Sequence, residues 1–206
     1  MKIDPANLSA RDSYRLLTGI VVPRPIAWVM TQTPDGVVNL APFSCFMFLS
    51  SDPPLLGFTV GPRRGERKDT ARNIRELGEF TVHIAEDSML EAVHGSADEY
   101  PADVSEAALL GLETLPNERI RVARLAAAPI AMECTLDRVL QFGNTGSEFI
   151  VGEVRLFHVR DGLCVDGRID SAALRPLGRL AGPTYAKLGD VVRKSPNVAM
   201  GPFEVV

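Results

Sequence analysis

The chain has 206 residues, of which 46% are hydrophobic and 23% charged, enough apolar material to bury a sizeable core in one ordinary globular domain. A formal charge of -4 excludes a global attraction to nucleic acid or to an anionic membrane surface, so any anion site has to be local. Cys45, Cys134 and Cys164 stand far apart without a C-x-x-C pair, which encodes neither a disulfide framework nor a zinc knuckle and points to a reducing, cytoplasmic setting.

The opening stretch MKIDPANLSARDSYRLL puts Asp4, Arg11 and Asp12 where a secretory leader needs an apolar run. No later run approaches transmembrane length. Ser9 and Asp12 have capping-box spacing, with Asp in place of the usual Glu, and predict a short helix carrying Tyr14, Leu16 and Leu17. VVPRPIAWV follows, residues 21–29, with Arg24 held between two prolines that restrict the backbone around it. Such rigidity suits a placed cation and equally a stiff strand start with the guanidinium in water.

Residues 26–32 and 37–41 flank Thr33-Pro34-Asp35-Gly36 and predict a hairpin. Residues 43–49 and 55–60 read as two more strands, parted by the ladder-breaking SSDPP. Asp69 is placed to cap a helix through Ala71, Ile74 and Leu77 that Gly78 stops, and Phe80, Val82 and Ile84 then alternate as a strand. Residues 86–118 hold short helical patterns broken by Gly95, Pro101 and Pro116, and are expected to form an insertion over the sheet. Ile130, Met132, Cys134 and Leu136 alternate against Ala131, Glu133, Thr135 and Asp137; this strand is expected to pair antiparallel with a long one over 149–159. The tail from 174 onward shows no strong period and reads as an arm or loop with no obvious need in monomer packing. Seven or eight strands with a helical insertion suggest a barrel, because closure removes exposed edges.

The usual chemistry-bearing motifs are missing. Glu91 and His94 have E-x-x-H spacing but no second pair, and His83 and His158 lack a histidine or cysteine at ligand spacing, so no metal site is expected. No G-x-S-x-G, H-E-x-x-H or G-x-G-x-x-G occurs. GPRRGERKDT, residues 61–70, fails as a Walker A loop because three residues separate its glycines and Glu follows the second. It still concentrates Arg63, Arg64, Arg67 and Lys68 just before a helix start, where free N–H groups and the dipole favour an anion. The same stretch would also serve as a solvated charged loop. In VNLAPFS a strand of Val, Leu and Phe offers Asn39, Ala41, Pro42 and Ser44, small or polar groups that let a flat ligand approach the backbone, or that simply end a strand.

Five segments together, LLTGIVVPRPIAWV, DGVVNLAPFSCF, SSDPP, KDTARNIRELGEFTVHIA and LRPLGRLAGPTY, resemble in order and spacing the flavin reductase-like, FMN-binding split-barrel family, over about residues 12–186. The resemblance implies a mainly β fold with peripheral α-helices, a six-stranded antiparallel Greek-key split barrel. It implies one domain over 1–206, with the helical insertion at about 86–118 and a C-terminal arm at about 187–206. It further implies a homodimer with one FMN per subunit near the interface. Carried over by position, Val29, Met30 and Thr31 would line the flavin, and Asn39, Ala41, Pro42, Phe43 and Ser44 would hold the ring edge and ribityl chain. Lys68, Asp69 and Thr70 would sit at the phosphate, with Arg24 a nearby cation or an interface residue. The implied activity moves electrons from NAD(P)H through FMN to free flavin, another small acceptor or a partner monooxygenase. Since the cofactor carries that chemistry, no catalytic side chain is expected. A carrier or sensor with the same FMN pocket and no nicotinamide turnover is the alternative.

Overall fold

The turn at 33–36 folds the chain back as its residues dictate: Gly36 takes φ +93°, its N–H donates to the Thr33 carbonyl, and Thr33 N–H donates to the Val37 carbonyl at 2.9 Å. The computed structural model describes residues 1–194. Its first half contains α1 (Ala10–Ile20), β1 (Arg24–Pro25), β2 (Ala27–Gln32), β3 (Val38–Phe43), β4 (Phe46–Ser51), β5 (Pro54–Val60), α2 (Asp69–Leu77), β6 (Glu79–Ile84) and α3 (Leu90–Gly95). Then come α4 (Glu106–Leu109), β7 (Thr114–Leu115), β8 (Arg124–Leu125), β9 (Ile130–Gln141) and β10 (Glu148–Val159). The last elements are β11 (Cys164–Val165), β12 (Arg168–Ile169), α5 (Ser171–Leu174), β13 (Gly178–Arg179) and β14 (Tyr185–Ala186). The fold is mainly β with few helices.

The main sheet joins seven strands, one more than the six expected, in the order β3-β2-β6-β9-β10-β5-β4. Its two outer strands, β3 and β4, are consecutive in the chain and separated only by Ser44 and Cys45. A sheet whose opposite edges are tied by two residues has to curl round on itself, and no ladder joins those edges. The result is an open barrel with a seam. The single strand expected over 43–49 is therefore two, because the chain changes edges at Ser44 and Cys45.

Inside the curl, Val29, Phe43, Phe58, Phe80, Val82, Cys134 and Ile150 pack together with Ala71 and Ile74 of α2. The Phe80 ring lies so close over Gly152 that a Cβ there would meet it inside van der Waals contact. Gly78, at φ +70°, ends α2 and turns the chain into β6 as predicted. The helix begins differently: Lys68 is the N-cap, and Asp69 in the first turn pairs with Arg72 and, at 3.8 Å, with Arg63 instead of capping.

A second core lies outside the curl, where Trp28, Met30 and Leu40 meet Val93, Ala107, Ile120, Val122 and Leu125. The segment over 86–118 and its continuation thus cover one face of β2, β3 and β6. Glu133, expected on the polar side of β9, is fully buried and binds this cover. It accepts N–H bonds from Glu118, Arg119 and Ile120 at 3.0, 2.7 and 3.2 Å and contacts His158 Nε2 at 2.6 Å. Although burial alone would raise its pKa, these donors hold the carboxyl below its ordinary value. Buried His83 bridges the same layers, Nδ1 to the Trp28 carbonyl at 2.9 Å and Nε2 accepting from Leu125 N–H at 3.0 Å. Burial pushes its pKa down to about 4.

The tail corrects the expectation of a dispensable arm. Leu174 and Leu177 are buried, β13 pairs with both β1 and β14, and Arg24 binds the Leu180 carbonyl at 2.9 Å. Two-residue strands leave no periodic signal to read. Residues 195–206, the end of the arm expected over 187–206, lie outside the described residues.

Candidate functional site

A cleft of about 560 Å³ opens beside the seam, within the range of small-molecule and cofactor sites. Nine of the twelve predicted site residues line it: Arg24, Asn39, Ala41, Pro42, Phe43, Ser44, Lys68, Asp69 and Thr70. They converge because β3 runs along one wall and the β5–α2 connection brings the helix start against it. Asn39 Nδ2 donates to Thr70 Oγ1 at 3.0 Å and to Thr31 Oγ1 at 3.2 Å, locking strand to helix.

The other three do not reach the cleft. Val29 and Met30 are fully buried in opposite cores, and ladders to β3 and β6 occupy the backbone of β2 on both sides. Neither their side chains nor their main chain is open to a ligand. Thr31 is buried beneath Asn39, where its hydroxyl accepts from Asn39 and from Asn73 Nδ2 at 3.2 Å. It positions Asn39 and does not line the cleft.

The basic run over 63–68 is resolved into distinct uses. Arg63 and Glu66 exchange backbone bonds across a turn with Arg64 at φ 53° and Gly65 at φ 86°, a type I′ pattern. Arg67 and Arg75 both bind Glu148 Oε1, at 3.0 and 2.9 Å, and Arg64 pairs with Glu99. Of the four side chains, that of Lys68 alone has no hydrogen bond or ion pair among the described residues. Its Nζ lies 5.9 Å from the centroid of the Phe43 ring. Burial at the cleft wall and the neighbouring Arg63 charge lower its pKa, against a smaller opposing pull from the Glu99 carboxylate.

Arg24 is placed as a brace. It is 8% exposed; Nη1 donates to the Thr18 and Val21 carbonyls at 2.5 and 2.8 Å, Nη2 to Leu180, and Nε approaches Ser44 Oγ at 3.4 Å. The guanidinium therefore neutralises the carbonyl end of α1 and ties it to the seam and the tail.

Sequence reasoning missed several lining residues. Glu106, at the start of α4, accepts the outward N–H of Leu40 at 2.8 Å, and burial raises its pKa. Tyr14 and Thr18 of α1, Ser147 before β10, and Arg179 of β13 also reach the cleft. Nothing in the local pattern marks them, since they come from segments far apart in the chain that meet only in the folded cleft. Among the described residues, no three His, Cys, Asp or Glu side chains gather as a metal site, and no helix is long and apolar enough to cross a membrane.

A family model described as a flavin reductase like domain matches residues 19–170. The chain belongs to the flavin reductase-like family. A relative, an uncharacterized protein of Halalkalibacterium halodurans, is 45% identical over 195 residues, 92% of this chain and 93% of that one. The crystal structure of nitrilotriacetate monooxygenase component B from Bacillus cereus is 40% identical and superposes with a TM-score of 0.91, covering 94% of this chain and 98% of that one. The 2-nitrobenzoate 2-nitroreductase NbaA of Pseudomonas fluorescens is 32% identical with a TM-score of 0.87, covering 96% and 97%. The matched residues include β3 and the start of α2, which wall the cleft, but not the lining residues Tyr14, Thr18 and Arg179.

Proposed function

We propose that this chain is an FMN-dependent oxidoreductase that passes electrons from NAD(P)H to free flavin or another small-molecule acceptor, in the manner of a flavin reductase, as a cytoplasmic homodimer. The observation that carries the reading is Lys68: a cation at a helix start with no side-chain hydrogen bond or ion pair among the described residues, in a mixed polar and apolar cleft whose β3 wall is built from Ala41, Pro42 and Phe43. FMN has the matching parts, a flat ring system and a phosphate.

The residues present fit that group. Lys68 Nζ and the open N–H groups of Asp69 and Thr70 at the α2 start would hold the phosphate, and the Asp69 carboxylate, neutralised by Arg72 and Arg63, would not repel it. Ala41 and Pro42 present little bulk, and Pro42 offers no N–H on the outer edge of β3, so a planar ring would lie against this wall. Asn39, fixed by Thr31 and Thr70, and Ser44 would supply polar contacts to the ring edge and ribityl chain. Phe43 would close the apolar side. Bound FMN would itself supply the redox chemistry, accepting two electrons from a nicotinamide and releasing them to an acceptor. The chain's part is to orient that group, exclude water from one side and hold its charge.

Support for the homodimer comes from α1 and β4. No residue of the 11-residue α1 is buried, leaving Tyr14, Leu17 and Ile20 exposed, and β4 exposes Met47 and Phe48, the latter 82%. Apolar surface on this scale marks an association face, and Tyr14 also lines the cleft. The Bacillus cereus relative, by name a monooxygenase component, makes a monooxygenase a reasonable recipient of the electrons. The test is an absorption spectrum of the purified protein, followed by anaerobic titration with NADH and NADPH. A yellow protein whose visible band is bleached by either nucleotide supports the reading. A yellow protein inert to both is an electron carrier instead, and one that recruits no FMN overturns the proposal.

A further inference from the structure

The short sheet at the tail places three side chains in one row. Arg24 of β1 stands opposite Arg179 of β13, and Arg179 stands opposite Tyr185 of β14. Directly opposed residues of antiparallel strands share a face, and like charges there repel. Arg24 is relieved by the carbonyls it binds. Arg179 has no carboxylate within ion-pair distance among the described residues.

Its guanidinium is nevertheless held in place. Nη1 donates to the Tyr185 hydroxyl at 2.7 Å, Nε donates to the Gly182 carbonyl at 2.9 Å, and the carbon of the fork lies 4.5 Å from the Tyr185 ring centroid. The Tyr185 hydroxyl in turn meets His94 Nδ1 at 3.2 Å. Nη2 is left without a partner among the described residues, and Arg179 lines the same cleft as Lys68. The cleft therefore presents two cations on different elements, Lys68 and Arg179, neither within ion-pair distance of a carboxylate among the described residues, although Asp98, Glu99 and Glu106 also line it. One anionic cofactor tail accounts for Lys68 only.

We infer that Arg179, oriented by Tyr185, forms a second oxyanion subsite of the cleft, which binds the phosphate or carboxylate of the ligand that exchanges electrons with the flavin. The inference deepens the proposed oxidoreductase reading and rests on it for the ligand's role. A planar fork fixed on two of its three nitrogens and open on the third is preorganised for such a group.

Isothermal titration of the FMN-loaded protein with ADP-ribose, the redox-inert phosphate half of the nicotinamide donor, and with benzoate, a simple aromatic carboxylate, tests it. At least one probe is expected to bind and to compete with the donor. Arg179→Ala should weaken that probe tenfold or more while FMN affinity stays within twofold, and Arg179→Lys should retain part of the binding. Tyr185→Phe, which frees the fork, should fall between wild type and Arg179→Ala. Binding of ADP-ribose assigns the subsite to the donor; binding of benzoate assigns it to the acceptor. The inference is overturned if neither probe binds at millimolar concentration, if Arg179→Ala leaves probe affinity unchanged, or if it weakens FMN instead. Should Arg179→Ala fail to fold, Arg179→Lys carries the comparison, a threefold loss supporting the subsite and no loss refuting it. The same titration on flavin-free protein reads Arg179 even if no flavin binds, so the two readings fail separately.

Discussion

Replacing Lys68 by alanine separates the function of that residue from its effect on stability. In the protein as described, the ammonium sits near Arg63 with no hydrogen-bond or ion-pair partner, drawn partly out of water over the Phe43 ring. Removing it relieves repulsion and burial cost, so Lys68→Ala should leave the flavin-free protein as stable as wild type or slightly more so. With FMN the sign reverses. A charge-assisted hydrogen bond to phosphate contributes about 1.5 to 3 kcal/mol, and the exposed stem of Lys68 favours the lower half of that range through solvent screening. A loss of about 1.5 to 2 kcal/mol corresponds to a roughly 10- to 30-fold rise in Kd. Fluorescence titration with FMN, repeated with riboflavin, which has no phosphate, reads the difference, and thermal melts of the flavin-free forms read the other half. FMN binding should weaken by that factor while riboflavin binding does not change. An unchanged FMN Kd, or an equal loss for riboflavin, would refute the placement of the phosphate at Lys68.

Three further outcomes are expected. His83 has a folded pKa of about 4 against an unfolded value near 6.5, so the unfolded chain takes up the proton first, and stability is lost as pH falls from about 6.5 towards 4. Urea denaturation at pH 7 and pH 4.5 should differ by about 2 to 3 kcal/mol from this group, and an NMR titration showing His83 protonated near pH 6.5 would contradict its buried neutral state. Gly152→Ala forces a methyl group into the Phe80 ring and should destabilise by about 1 to 3 kcal/mol, read by chemical denaturation; a neutral effect would mean the ring is free to move. On the proposed homodimer, Phe48→Asp in β4 should shift sedimentation from dimer to monomer and weaken flavin binding with it, whereas an unchanged sedimentation coefficient would remove β4 from the proposed interface.

Much of the fold was legible wherever a local rule governs it. The turn at 33–36, the Gly78 stop and the pairing of β9 with β10 follow from turn chemistry and alternation, and they appear in the structure. The site was legible along VNLAPFS and KDT because those residues interrupt an apolar pattern or begin a helix. Val29 and Met30 misled because AWVMT is buried on both faces, and a continuous apolar run does not say which side, if either, meets a ligand. Glu133 misled because alternation assigns a charged residue to solvent, while the structure covers it with a loop about 15 residues away that donates three N–H groups. Arg24 was found at the cleft but with its donors spent on carbonyls, a use that depends on where α1 and the tail end. Arg179 lies inside LRPLGRLAGPTY, a segment that carries the resemblance, but no local pattern gave it a role, because its neighbours become neighbours only when β13 pairs with β1 and β14.

Placing the cleft at the seam also couples occupancy to mechanical integrity. Strands β3 and β4 share no ladder and are joined by the two-residue Ser44–Cys45 link and by packing around Phe43, so these edges can separate without breaking any strand-to-strand pairing. A molecule gripping Asn39 to Ser44 on one side and the start of α2 on the other would act as a staple, raising the opening free energy by an amount set by its concentration and affinity. Amide exchange along β3 should then slow on loading far more than exchange in β9, which is already clasped by β6 and β10.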